Sequence, residues 1–134
     1  MDSAYILDSY ALLAYFEDEA GGEKVEKILR AAQTGKTKLF LSVINFGEIY
    51  YNTVRERGRE KADEVRLVTE QLPVTLVPAD RDSALEAAKL KGAHAVAYAH
   101  CFAAALGIQK KAKVMTGDLE FKKFGERVIV EWIA

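Results

Sequence analysis

Apolar residues alternate between two periods along this chain. Short unbroken runs, "AYILD" at 4–8, "TKLFLS" at 37–42, "PVTLVP" at 73–78, "AKVMTG" at 112–117 and "RVIVEWI" at 127–133, have the length and β-branched content of buried strands. Between them the apolar positions fall at helical spacing. "SYALLAYF" follows the first run. In "GGEKVEKILRAAQTG" Val25, Ile28, Leu29 and Ala32 share one face between bounding glycines. "INFGEIYYNTVRERG" and "REKADEVRLVTEQL" follow the second run, and "DRDSALEAAKLKG" has an acidic start and a basic end, as a helix dipole favours. "YAHCFAAALG" at 98–107 is apolar nearly all round, so it is expected to be a buried helix, yet it carries His100 in its middle. Strands alternating with helices imply an α/β fold with a mainly parallel sheet between helical layers.

The 134 residues, half of them hydrophobic, suit one domain spanning 1–134 with a core that needs no disulfide. Nineteen basic and 20 acidic residues leave a net charge of −1, so nucleic-acid contacts would have to come from local patches. Cys101 is the only cysteine and lies in the apolar helix. It can form no internal disulfide and fits a reducing, cytoplasmic setting. Two histidines and one cysteine cannot build a zinc-finger site. No run has the length of a membrane span, and the chain is expected to be soluble.

Ligands of open α/β sheets collect at the carboxyl ends of strands. Asp8 closes the first strand, Asp118 follows "VMTG" on a glycine turn, and Glu48 lies on the helix after the second strand among Ile44, Phe46, Ile49 and Tyr51. Asp8 and Asp118 also stand where helix N-caps would be. Three carboxylates converging on one sheet edge would need a cation, and oxygen ligands select magnesium or manganese, ions suited to phosphodiester hydrolysis. Other chemistries fall away. "TGKT" at 34–37 precedes a strand and lacks the leading glycine of a P-loop, no G-x-G-x-x-G is present, and Tyr10 stands where an aspartyl-phosphate enzyme has its second aspartate.

These segments together, "YILDSYALLAYF", "LSVINFGEIYY", "YAHCFAAALG" and "VMTGDLEF", resemble a PIN domain, specifically the small VapC-type ribonuclease toxins of toxin-antitoxin pairs. The resemblance implies a three-layer α/β/α sandwich with a central, mainly parallel sheet. It implies a metal-dependent endoribonuclease using Mg2+ or Mn2+, an RNA substrate that in the family is often tRNA, an antitoxin over the apolar surface near the first two helices, and a homodimer. Carried over by position, the family's acids are Asp8, Glu48 and Asp118, and His100 stands where the remaining acid belongs. The resemblance thus turns His100 toward the metal site, although an imidazole suits magnesium poorly. The alternative implied is a catalytically weakened PIN-like domain that binds RNA or a protein partner without turnover. Around the four, Ser9 is expected to cap the first helix or orient Asp8. Asn45 reads as a cap or a substrate contact, Thr116 as a strand-end hydroxyl or the holder of a metal-bound water, and Glu120 as a substitute oxygen or a solvated first-turn acid. Arg55, Arg57, Arg59, Lys61 and Arg66 form one basic region; Lys110, Lys111, Lys113, Lys122 and Lys123 form another, expected near Asp118.

Overall fold

Five parallel strands in the order β3-β2-β1-β4-β5 form the sheet of the computed structural model, which describes residues 3–134. They are β1 (Ser3–Leu7), β2 (Thr37–Ser42), β3 (Thr75–Val77), β4 (Lys113–Thr116) and β5 (Val130–Trp132). The helices are α1 (Ser9–Phe16), α2 (Gly22–Gln33), α3 (Val43–Arg57), α4 (Arg59–Gln71), α5 (Arg81–Ala93) and α6 (Tyr98–Lys110), and a 3-10 segment covers Leu119–Arg127. Every expected strand is present, and each pairing is parallel rather than mostly so. The 3-10 segment is the element the periodicity does not announce. Its buried residues are Phe121 and Phe124, set in the turns that carry the chain from β4 to β5, while Leu119 is exposed.

Strand alternation divides the core into two layers. Ile6 and Val114 point to the face covered by α5, α6 and the 3-10 segment, where they meet Leu90, Phe102, Leu106, Phe121 and Phe124. Their neighbours Leu7 and Met115 point to the opposite face, against Leu12, Val25, Leu29, Ile49 and Val65 of α1 to α4. A central strand buried on both faces reads as a continuous apolar run because neither set of side chains meets water. Each such side chain contributes about 1.5–3 kcal/mol on burial. Among the described residues no helix is long and apolar enough to cross a membrane.

The strand order reverses at β1: the chain moves outward through β2 and β3, then returns to place β4 on the other side. The carboxyl ends of β1 and β4 therefore lie side by side at a switch point, and Asp8 and Asp118 follow those two ends. α6 begins at this edge and runs back to the opposite one. Lys110, Lys111 and Lys113 consequently sit at the amino edge of the sheet, and of the second basic region only Lys122 and Lys123 stay in the segment that follows Asp118.

The double glycine before α2 has a packing reason at Gly22, where an added Cβ would lie 2.8 Å from the Ala14 carbonyl oxygen of α1. Replacing Gly22 with Ala is expected to force α1 and α2 apart at a cost of about 1–3 kcal/mol, read as a lowered urea midpoint with unchanged far-UV circular dichroism.

Candidate functional site

Asp8 is fully buried, and its side chain serves two purposes. It is the N-cap of α1, where Oδ2 accepts from the Tyr10 backbone N–H at 3.4 Å, and it is also the centre of a polar network. Thr116, at the end of β4, donates its hydroxyl to Asp8 Oδ2 at 3.0 Å and accepts the Asp118 backbone N–H at 3.1 Å. Asp118 caps the 3-10 segment through Glu120 N–H at 2.9 Å. Capping and convergence hold together, because a helix starting at a strand's carboxyl end aims its capping carboxylate at the same edge. Gly117 makes room in the turn, since the Tyr10 ring fills the space a Cβ there would occupy.

His100 joins the two aspartates. Its Nδ1 lies 3.1 Å from Asp8 Oδ1 and its Nε2 lies 2.8 Å from Asp118 Oδ2. Ionised carboxylates accept only, so both ring nitrogens carry hydrogen and the ring is an imidazolium. Burial opposes that charge, but the hydrogen bond and charge of Asp8, followed by those of Asp118, outweigh it and raise the His100 pKa from 6.5 to about 9. Asp118 shifts the other way: burial pushes it up, yet the Glu120 amide and the His100 cation hold it below its ordinary value. Phe121 packs against the imidazole with ring centroids 4.7 Å apart.

Glu48 enters from α3, half-buried. Ser9 donates to its Oε1 at 2.6 Å and Asn45 Nδ2 reaches the same oxygen at 3.3 Å. Asn45 is fully buried, also donates to the Ala99 carbonyl at 3.1 Å, and so ties α3 to the first turn of α6. These bonds revise two local expectations: Ser9 orients Glu48 rather than capping α1, and Asn45 is a bridge between helices rather than a cap. Ser42 caps α3, through Ile44 N–H at 3.1 Å. Glu120 turns its Oε1 to the Ala97 backbone N–H at 2.5 Å, just ahead of α6, so it satisfies a helix-end donor instead of standing free in solvent. Tyr10 is the contributor the sequence signals least: its amide bonds Asp8 and its ring, partly exposed, covers the glycine turn. An aromatic two residues after a capping acid was the available sign.

Asp8, Glu48, Asp118 and His100 thus lie in one connected neighbourhood, with Glu48 bonded to Ser9, the residue next to Asp8. They are not arranged around a common point. Among the described residues no three His, Cys, Asp or Glu side chains stand together as a cage for a metal ion. As disposed, the residues do not fit a divalent cation. One oxygen of each aspartate is held by a ring with no bare nitrogen, and that ring brings positive charge to the place where the ion would be needed. What the site can do in this arrangement is hold two protons on His100 between two carboxylates and keep Asp8 charged out of water.

The basic residues are partly neutralised locally. Arg57 pairs with Glu17 at 2.5 Å, Lys61 with Glu64 at 3.5 Å, Arg66 with Glu70 at 3.2 Å and Lys113 with Glu131 at 3.6 Å. Arg55 lies over the Tyr51 ring, and Lys123 donates to the Ala95 carbonyl at 3.1 Å beside the start of α6.

Comparison with known proteins agrees with this architecture. The chain aligns in space with VapBC2 from Rickettsia felis, solved bound to a promoter DNA fragment, at a TM-score of 0.74 and 14% identity over 96% of this chain and 98% of that one. DNA-bound VapBC from Salmonella typhimurium aligns at 0.72 and 15% identity over 100% of both chains. VapC20 of Mycobacterium tuberculosis, described as a Sarcin-Ricin loop cleaving toxin, aligns at 0.72 and 14% identity over 90% of this chain and 95% of that one. No curated protein matches in sequence. The model of the PIN domain matches residues 5–127, nearly the whole of the sheet and its helices, and the chain therefore belongs to the PIN domain family.

Proposed function

We propose that this chain, read as a single domain over residues 1–134, is the toxin-like member of a toxin-antitoxin pair and an endoribonuclease of attenuated activity. It engages RNA at the carboxyl edge of its sheet. The observation that carries the reading is the His100 bridge between Asp8 and Asp118 at the switch point, with Glu48 bonded to Ser9 beside Asp8. The acids are those a phosphodiesterase of this fold would use with Mg2+ or Mn2+, and the imidazolium is the reason for the attenuation. The likeness to VapC20, a Sarcin-Ricin loop cleaving toxin, supports RNA as the substrate class. Lys122 and Lys123 beside Asp118 supply cations for its backbone at that edge, while Tyr10, exposed next to Asp8, offers a ring to an unpaired base.

An antitoxin partner is supported by the likeness to VapBC complexes and by a groove of about 350 Å3 between α1 and α4. Tyr15, Phe16, Val65 and Val68 line it, with Asp18, Lys61 and Glu64 among its polar residues. This surface lies next to the expected one, with α4 in place of α2. A homodimer and a cytoplasmic location complete the reading, and light scattering of the purified chain tests the former.

Cleavage of single-stranded RNA in Mg2+ or Mn2+ tests the site. Wild type is expected to cut slowly, Asp8→Ala and Glu48→Gln to abolish cutting, and His100→Asp to raise it about 100-fold. Cutting that persists in both acid variants rules out this site, and a wild type as fast as His100→Asp rules out the attenuation.

The same bridge sets a pH dependence of stability. The His100 pKa is raised on folding from 6.5 to about 9, so its contribution is complete below about pH 6.5 and is lost as pH climbs through about 9. Wild type is expected to lose about 3 kcal/mol of unfolding free energy across that window, measured by urea titration, whereas His100→Gln is expected to give a nearly flat profile.

A further inference from the structure

Carboxylates gathered at one sheet edge repel one another, and each must find compensation in a bound cation or in the chain itself. Here the chain supplies it acid by acid. Asp8 receives His100 Nδ1, the Thr116 hydroxyl and the Tyr10 amide; Asp118 receives His100 Nε2 and the Glu120 amide; Glu48 receives the Ser9 hydroxyl and the Asn45 amide group. We propose that His100 is the built-in counter-ion of this site, an imidazolium that takes over the role of a divalent cation, so that the wild-type chain holds its acids without metal and disfavours metal entry. This concerns the same residues as the proposed function and rests on their being its site, but it does not require RNA to be the substrate.

Three features hold the ring in that role. Asn45 ties the Ala99 carbonyl to α3, and Glu120 accepts from the Ala97 amide, so the start of α6 just ahead of His100 is pinned at two residues. Phe121 packs on the ring face at 4.7 Å. The two aspartates come from the ends of adjacent strands, β1 and β4, whose spacing is fixed by the sheet. A ring spanning two rigidly placed acceptors through both nitrogens is a strut, and a histidine that ligates metal must instead leave one nitrogen bare. The Asp8 carboxylate, with no exposure to water, would be left with hydroxyl and amide donors alone if the ring swung out.

Manganese binding reads this directly. The purified chain is treated with EDTA, then titrated with MnCl2 while electron paramagnetic resonance follows free Mn2+ and a thermal melt follows stability. Wild type is expected to melt at the same temperature with and without EDTA and to retain Mn2+ at least about tenfold more weakly than His100→Asp, which is expected to melt lower in EDTA and recover with Mn2+. His100→Asn, which removes the cation and adds no charge, provides the comparison if the aspartate variant fails to fold, and it too is expected to retain Mn2+ more tightly than wild type. Wild type binding Mn2+ as tightly as these variants, or losing stability in EDTA, overturns the proposal. A chain that cuts no RNA yet shows the expected Mn2+ pattern removes the nuclease reading and leaves the counter-ion in place.

Discussion

The buried charge of Asp8 is the constraint around which this fold is arranged. A carboxylate with no exposure to water is tolerable only where donors and a positive charge surround it, and removing such a partner from a buried ion pair typically costs about 3–5 kcal/mol. Its donors come from three places in the sequence: the first turn of α1, the end of β4 and the first turn of α6. None of these segments can shift without exposing or orphaning the acid. The parallel order of the sheet meets the requirement because β1 and β4 are neighbours and α6 starts above their carboxyl ends.

The pairing is also what separates this chain from a simple cluster of acids. Three carboxylates and one imidazolium at a sheet edge carry two fewer negative charges than four carboxylates would. The field that would draw in a divalent ion is weaker by that amount, and a cation already stands between two of the acids. On the proposed function RNA, itself an anion, would meet a less hostile edge, and binding and turnover would come apart at a single residue, His100, whose charge would ease approach of the backbone while standing where the ion of such a hydrolysis would be needed.

Much of the fold is legible in the sequence because two-faced burial leaves a plain mark. The runs around Ile6 and Val114 are continuous only because both layers of the core close on them. The 3-10 segment is not legible, since two phenylalanines three residues apart in a lysine-rich stretch carry too little periodicity to distinguish a turn from a loop. At the site, Asp8 and Asp118 are readable as strand-end acids, and their double use as caps follows from the same position. Ser9 and Asn45 are not readable as partners of Glu48, because short polar residues at helix starts fit a cap just as well. Gly47 invites a close approach in sequence, but a Cβ there would meet open space. The side chain that matters on that turn of α3 is Asn45, facing the opposite way into α6.

The basic residues show why charge counted along a sequence misleads about a surface. Lys110 to Lys113 and Lys122 to Lys123 read as one patch because ten or so residues separate them, but β4 lies between and carries the chain from one edge of the sheet to the other. Arg55 and Arg57 lie toward the far end of α3 from Glu48, about 10 and 13 Å along its axis at 1.5 Å per residue, with Arg57 already spent on Glu17. Lys122 and Lys123 stay in the segment that follows Asp118, whereas the α3–α4 cations stand turns away from Glu48 and are partly spent on neighbouring acids, so counting all of them as one rim overstates the positive charge at the site.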